Sequence, residues 1–157
     1  HGRANKDSHI DLPIVDTSLD ILSKTDFRPF VYLNKLPLCM TAHVLYKDID
    51  PYNPATFSSV IIKLIRESIN FYGIIITDDI TMGALEGTME EKISKTFLAG
   101  CDILLDCSSN NEEICNNLEL IPKLSNKKLY HYMNLCQAKN SNIDRIEYKK
   151  ELNILTK

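Results

Sequence analysis

The chain has 157 residues, 44% of them hydrophobic and 25% charged, which suits one globular domain and is short for two. That balance excludes a collagen-like repeat or a disordered tail, and the apolar runs at 74–76 and 103–105 fall far short of the roughly 20 residues that span a bilayer. A net charge of −3 argues against an electrostatic grip on nucleic acid.

In chain order, residues 1–16 are polar, show no periodicity and read as a loop. Thr17-Ser-Leu-Asp20 has capping-box form, so a short helix is predicted to begin there. Pro29 and Pro37 punctuate the next stretch, and residues 38–44 form a short strand candidate. Pro51 and Pro54 mark a loop. Val60, Ile61, Leu64, Ile65 and Ile69 then predict a helix over 58–70 with those residues on one face. Gly73 is read as its terminator. Residues 74–78 are the clearest strand, β-branched and apolar enough for burial on both faces of a parallel sheet.

Thr88 and Glu91 form a second capping box, followed by an apolar face of Met89, Ile93 and Phe97 and a C-cap at Gly100. Residues 102–106 are a third strand, and a third helix begins near Asn111. This alternation means α/β with a parallel sheet. After Pro122 the chain is richer in Lys, Asn and Tyr; Leu129, Tyr132, Met133 and Cys136 suit one more amphipathic helix, and the last fifteen or so residues form a tail. Three strands are fewer than the usual 4–6 of a sheet, and a complete (β/α)8 barrel takes roughly 250 residues.

The five cysteines are odd in number and lack CxxC or finger spacing, so they read as reduced structural thiols, with Cys101 and Cys107 flanking a buried strand. The opening residues also lack the basic-then-apolar pattern of a secretory leader. A cytoplasmic location is the expectation.

Function in parallel α/β folds collects at the carboxyl ends of strands. That rule singles out His43, Asp78, Asp79 and Asp106. Asp7 and His9 form a D-x-H pair, in which a carboxylate can hold the imidazole in one tautomer as a general acid/base. The plain alternative is a solvated loop. Asp78 and Asp79 follow an Ile-Ile-Ile-Thr strand; one of them could cap the next turn, and only one can face a barrel mouth, because neighbours on a strand point oppositely. His43 reads as an interior histidine satisfied by a backbone group, and His131 as an exposed helical residue. A zinc site of His1, His9, His43 and an aspartate has no ligand spacing behind it.

HGRANKDSH resembles the end of the KHFPGHGxxxxDSH motif of the glycoside hydrolase family 3 β-N-acetylhexosaminidases, bacterial enzymes that remove N-acetylglucosamine from peptidoglycan fragments. The likeness continues through His9-Ile-Asp-Leu-Pro-Ile-Val-Asp16, Cys39-Met-Thr-Ala-His-Val44, Pro54-Ala-Thr-Phe-Ser58, Gly73-Ile-Ile-Ile-Thr-Asp-Asp-Ile-Thr-Met-Gly83 and Leu98-Ala-Gly-Cys-Asp102. It covers about residues 1–107. The family fold is a (β/α)8 barrel, so the resemblance implies that residues 1–122 are its C-terminal part, an incomplete barrel of about three strands, and that 123–157 are a tail.

By the same resemblance Asp78 is the catalytic nucleophile, His9 the acid/base and Asp7 its dyad partner. Asp79, Met82 and His43 match motif positions without a catalytic role. No metal or organic cofactor is implied, and the substrate is a small carbohydrate, an N-acetylglucosaminyl muropeptide. The family's Lys-His pair, its sugar-binding aspartate and arginines and its first five strands would lie before His1. The expectation is therefore that the isolated chain is inactive and that a missing N-terminal half is a possible partner. A non-catalytic remnant or one half of a split enzyme is the alternative. A receiver-like switch using Asp78 and Asp79 as an acidic cluster leaves HGRANKDSH and Pro54-Ala-Thr-Phe-Ser58 unexplained.

Overall fold

The computed structural model describes residues 2–107, 110–124 and 126–137. His1 and the tail from 138 onward lie outside the described residues. Within them the order is β1 (Ile14–Val15), α1 (Leu19–Lys24), α2 (Arg28–Tyr32), β2 (Leu38–Met40), β3 (Leu45–Tyr46), α3 (Ser59–Glu67), β4 (Ile74–Asp79), α4 (Met89–Ala99), β5 (Ile103–Leu105), α5 (Asn111–Asn117) and α6 (Asn126–Gln137). The residues up to Leu124 form one unit, and α6 belongs to a second. No helix among the described residues is long and apolar enough to cross a membrane.

The fold is α/β with open parallel sheets. β4 is the centre of a three-stranded sheet of order β2-β4-β5, and both of its pairings are parallel. Cys39 stands opposite Ile75, and Ile76 opposite Ile103. A register shift follows between Ile76 and Asp79, where the Leu105 amide donates to the Thr77 hydroxyl across 2.9 Å. β1 and β3 form a second, two-stranded parallel ladder, Ile14 opposite Leu45. The loop expected over residues 1–16 therefore ends in a strand, too short for any periodicity to reveal.

Local chemistry explains several helix ends. Thr88 Oγ1 accepts the Glu91 amide and the Glu91 carboxylate accepts the Thr88 amide, while Gly100 closes α4 at φ 105°. Ser58 caps α3 by accepting the Ile61 amide and donates its own proton to Asp50 at 2.6 Å. The expected capping box at Thr17 is replaced: Ser18 makes no side-chain cap bond, and the Leu19 amide donates to Asp48 across 2.7 Å. Pro29, read as punctuation, sits in the first turn of α2, where its missing N–H costs nothing.

The α3 helix departs from expectation in two ways. It turns Ile61 and Ile62 inward and leaves Val60 half exposed. It also ends at Glu67, and Asn70 at φ 62° makes the turn. Gly73 serves the strand start instead: a Cβ there would meet the Pro37 carbonyl at 2.6 Å and the Phe71 ring at 2.6 Å.

Ile62, Ile69, Phe71, Ile75, Ala99 and Cys101 pack between α3, α4 and the sheet. Val15, Leu22 and Val44 form a second cluster, and Ile80, Leu85 and Ile93 a third. Each fully buried aliphatic chain here contributes about 1.5–3 kcal/mol. Arg66 locks the first cluster's edge, donating to the Phe71 and Gly73 carbonyls and to Asp102 at 2.6 Å, while Asp102 also accepts the Ile75 amide. An apolar cavity of about 390 Å³ opens between α2, β2 and α3, lined by Phe30, Leu36, Met40 and Leu64 among others. Cys101 is buried as expected, but Cys107 is exposed.

Candidate active site

Asp7 and His9 meet. One oxygen, Asp7 Oδ1, accepts the His9 amide at 3.0 Å and His9 Nδ1 at 2.8 Å. A carboxylate only accepts, so Nδ1 carries the proton and Nε2 is left as the ring's reactive nitrogen. The His9 amide, then its ring, hold the Asp7 carboxyl below its ordinary value. Both side chains are open to solvent, at 75% and 61% exposure.

The backbone around this pair is fixed although the side chains are exposed. The Ile10 and Asp11 amides close a turn on the Asp7 carbonyl. The Gly83 amide donates to the His9 carbonyl at 3.0 Å, and the Ala84 amide to the Ser8 carbonyl at 3.1 Å. Ser8 is completely buried. A Cβ on Gly83 would sit 2.8 Å from the His9 and Ile10 carbonyl oxygens, so only glycine permits the approach. The D-x-H loop is thus stitched to the segment that leaves β4 immediately after Asp78 and Asp79.

Those two aspartates are half-buried at the carboxyl end of β4 and divide their work. Asp79 accepts the Thr81 amide at 3.0 Å, the Thr81 hydroxyl at 2.7 Å and the Cys107 amide at 3.2 Å. Burial pushes its carboxyl up, but these bonds outweigh it and hold the group below the ordinary carboxylate value. The Asp78 carboxylate takes one hydrogen bond among the described residues, from the Asp79 amide at 2.9 Å. Asp79 therefore does the capping, and Asp78 keeps the sparsely bonded carboxylate.

His43 is fully buried, with Nε2 2.9 Å from the Asp79 carbonyl oxygen and Nδ1 2.8 Å from the Thr56 hydroxyl. It is the interior histidine expected, bonded to a backbone group. Both nitrogens are committed, so it has none to offer a metal, and no group of three metal-binding side chains occurs among the described residues. Asp106 follows β5, half-buried, and His131 lies on α6 in the second unit. Spacing did not point to Thr41 and Thr56, whose hydroxyls lie 3.0 Å apart beside His43.

A model of the glycosyl hydrolase family 3 N-terminal domain matches residues 1–135. A β-hexosaminidase from Neisseria gonorrhoeae is 38% identical over 129 residues, covering 79% of this chain and 33% of the relative. A β-hexosaminidase from Idiomarina loihiensis is 38% identical over 112 residues, covering 69% and 34%. The chain thus spans about a third of the length of the curated relatives it matches. Among solved structures, NagZ from Neisseria gonorrhoeae in complex with N-trifluoroacetyl-D-glucosamine superposes with a TM-score of 0.72 at 29% identity, covering all of this chain and 48% of that one.

Proposed function

The chain belongs to glycosyl hydrolase family 3, and on that footing we propose that its residues serve retaining hydrolysis of a terminal β-linked N-acetylglucosamine from peptidoglycan fragments. The observation that carries the reading is the Asp7–His9 hydrogen bond on a loop whose backbone is tied to the segment just after Asp78. A basic ring nitrogen and a sparsely bonded carboxylate are the two groups that double displacement needs.

Asp78 attacks the anomeric carbon as His9, protonated at Nε2, gives that proton to the departing glycosidic oxygen. The carbon–oxygen bond to the leaving group breaks and an ester to Asp78 forms. His9, now neutral, takes a proton from water as the water oxygen attacks the same carbon, and the bond to Asp78 breaks. Asp7 keeps the Nδ1 proton throughout, which leaves Nε2 to give and take the moving proton.

The N-acetyl preference draws on the β-hexosaminidase relatives and on the N-trifluoroacetyl-D-glucosamine held by NagZ from Neisseria gonorrhoeae. The peptidoglycan source and a cytoplasmic setting rest on the family resemblance. On this reading residues 1–122 belong to the catalytic barrel, and the remaining strands and sugar-binding groups come from the rest of that barrel.

Proton NMR of the sugar first released from 4-nitrophenyl N-acetyl-β-glucosaminide tests the proposal. The β-anomer is expected to appear first. An initial α-anomer, or turnover by Asp78→Ala at the wild-type rate, would refute it.

A further inference from the structure

The donors and acceptors around His43 leave one consistent arrangement. The Asp79 carbonyl can only accept, so His43 donates from Nε2 across 2.9 Å. In the neutral ring Nδ1 then only accepts, and the Thr56 hydroxyl must donate to it across 2.8 Å. With its proton spent, Thr56 accepts from the Thr41 hydroxyl at 3.0 Å. The reverse setting, with Thr56 turned to the Ala42 carbonyl at 3.4 Å, requires a proton on Nδ1 and hence a buried cation. Thr56 and His43 are fully buried and Thr41 nearly so.

The string ends on the backbone of β4, where His43 satisfies the Asp79 carbonyl. What it holds is the backbone one residue past Asp78. The Asp79 carbonyl is fixed from the β2 side by His43, and its carboxylate from the β5 side by the Cys107 amide and by Thr81. These ties hold the Asp79 Cα from two sides; the Asp79 N–H, in the preceding peptide unit on that same Cα, is bonded to Asp78 Oδ1.

We propose that His43 is a positioning residue for Asp78: neutral, with its proton on Nε2, it anchors the backbone at Asp79, and the Asp79 N–H carried on that anchored residue orients the Asp78 carboxylate. The inference rests on Asp78 being the nucleophile. The charged groups facing His43 are Asp78, Asp79 and Lys92, the last anchored on the Ile80 carbonyl at 3.1 Å.

The test uses the complete protein containing this chain and 4-nitrophenyl N-acetyl-β-glucosaminide, comparing wild type, His43→Leu, His43→Gln, Thr56→Val and Asp78→Ala. A small error in nucleophile direction is costly, so His43→Leu should lose about tenfold or more in kcat with KM nearly unchanged. His43→Gln, whose amide can still donate to the carbonyl, should recover most of kcat. Thr56→Val should show a smaller kcat loss, and it stands in if His43→Leu does not fold.

Wild-type kcat in the variant that folds, a deficit confined to KM and melting temperature, or Gln no better than Leu would each overturn the positioning role. Nitrogen-15 shifts of the His43 ring give a readout independent of turnover: an Nε2–H tautomer is expected, and Nδ1–H contradicts the proposal. Full activity of Asp78→Ala, or no turnover by wild type, strikes instead the glycosidase reading beneath it.

Discussion

The amide of Gly83 donates to the carbonyl of His9 across 3.0 Å, at a point where any side chain on residue 83 would run into that carbonyl. Through this contact the D-x-H loop is registered against the exit of β4. Gly83→Ala should push the His9 loop away from Asp78 and lower kcat about tenfold or more, since misplacement by about 1 Å is that costly. Steady-state kinetics on the complete protein check this, and an unchanged kcat would show that the loop's position does not matter.

Asp7 orients His9. Asp7→Asn replaces the carboxylate by a weaker acceptor and should reduce kcat/KM about 10–100-fold, at or below the lower end of the roughly 100- to 10,000-fold that acid–base catalysis contributes, because His9 itself remains. The loss should be smallest for aryl glycosides whose leaving group needs no proton. Because the folded pKa of Asp7 is depressed below 3.8, its stabilising bond is present above that value and is lost as pH falls through the folded one. The acid decline of wild-type kcat/KM should therefore include a step that Asp7→Asn lacks.

Burial lowers the His43 pKa from its ordinary 6.5. The sign follows from linkage: below 6.5 the unfolded chain binds a proton that the folded chain resists. Stability is complete above 6.5 and falls as pH drops below it. Urea denaturation at pH 8, 7, 6 and 5 should show this decline, and His43→Gln should flatten it. Asp79 and Asp50 do not mask the effect, since both titrate below 3.8.

Arg66 and Asp102 make the clearest structural ion pair. The Asp102 side chain is only 4% exposed, so Arg66→Ala takes the opposite charge from a buried carboxylate and should cost about 3–5 kcal/mol. Breaking Lys24–Asp20, where both partners are 71% exposed, should cost about 0.5 kcal/mol or less. Denaturant midpoints compare the two, and equal effects would contradict the assignment of Arg66 as a clamp on the sheet.

What could be read in the sequence was what is decided locally. Thr88 and Glu91 cap α4 three residues apart, Gly100 ends it, and Asp7 reaches His9 two residues on. Each needs only neighbouring residues. The cap on Leu19 comes instead from Asp48, and the bonds that define His43 reach Thr56 and Asp79, 13 and 36 positions away. The β1 strand, two residues long, exists only because Leu45 and Tyr46 lie beside it. Val60 and Ile62 exchanged their expected roles because both are apolar and periodicity alone does not set the rotation of α3.

The proposed mechanism has Asp78 form the covalent bond to the sugar. Acid-quenching the complete protein during turnover of a fluorinated N-acetylglucosaminyl donor that slows the second step, followed by peptide mapping, measures this directly. One glycosyl adduct is expected, on the peptide carrying residues 74–79 and lost in Asp78→Ala. An adduct on another residue, or an adduct that survives Asp78→Ala, would contradict it.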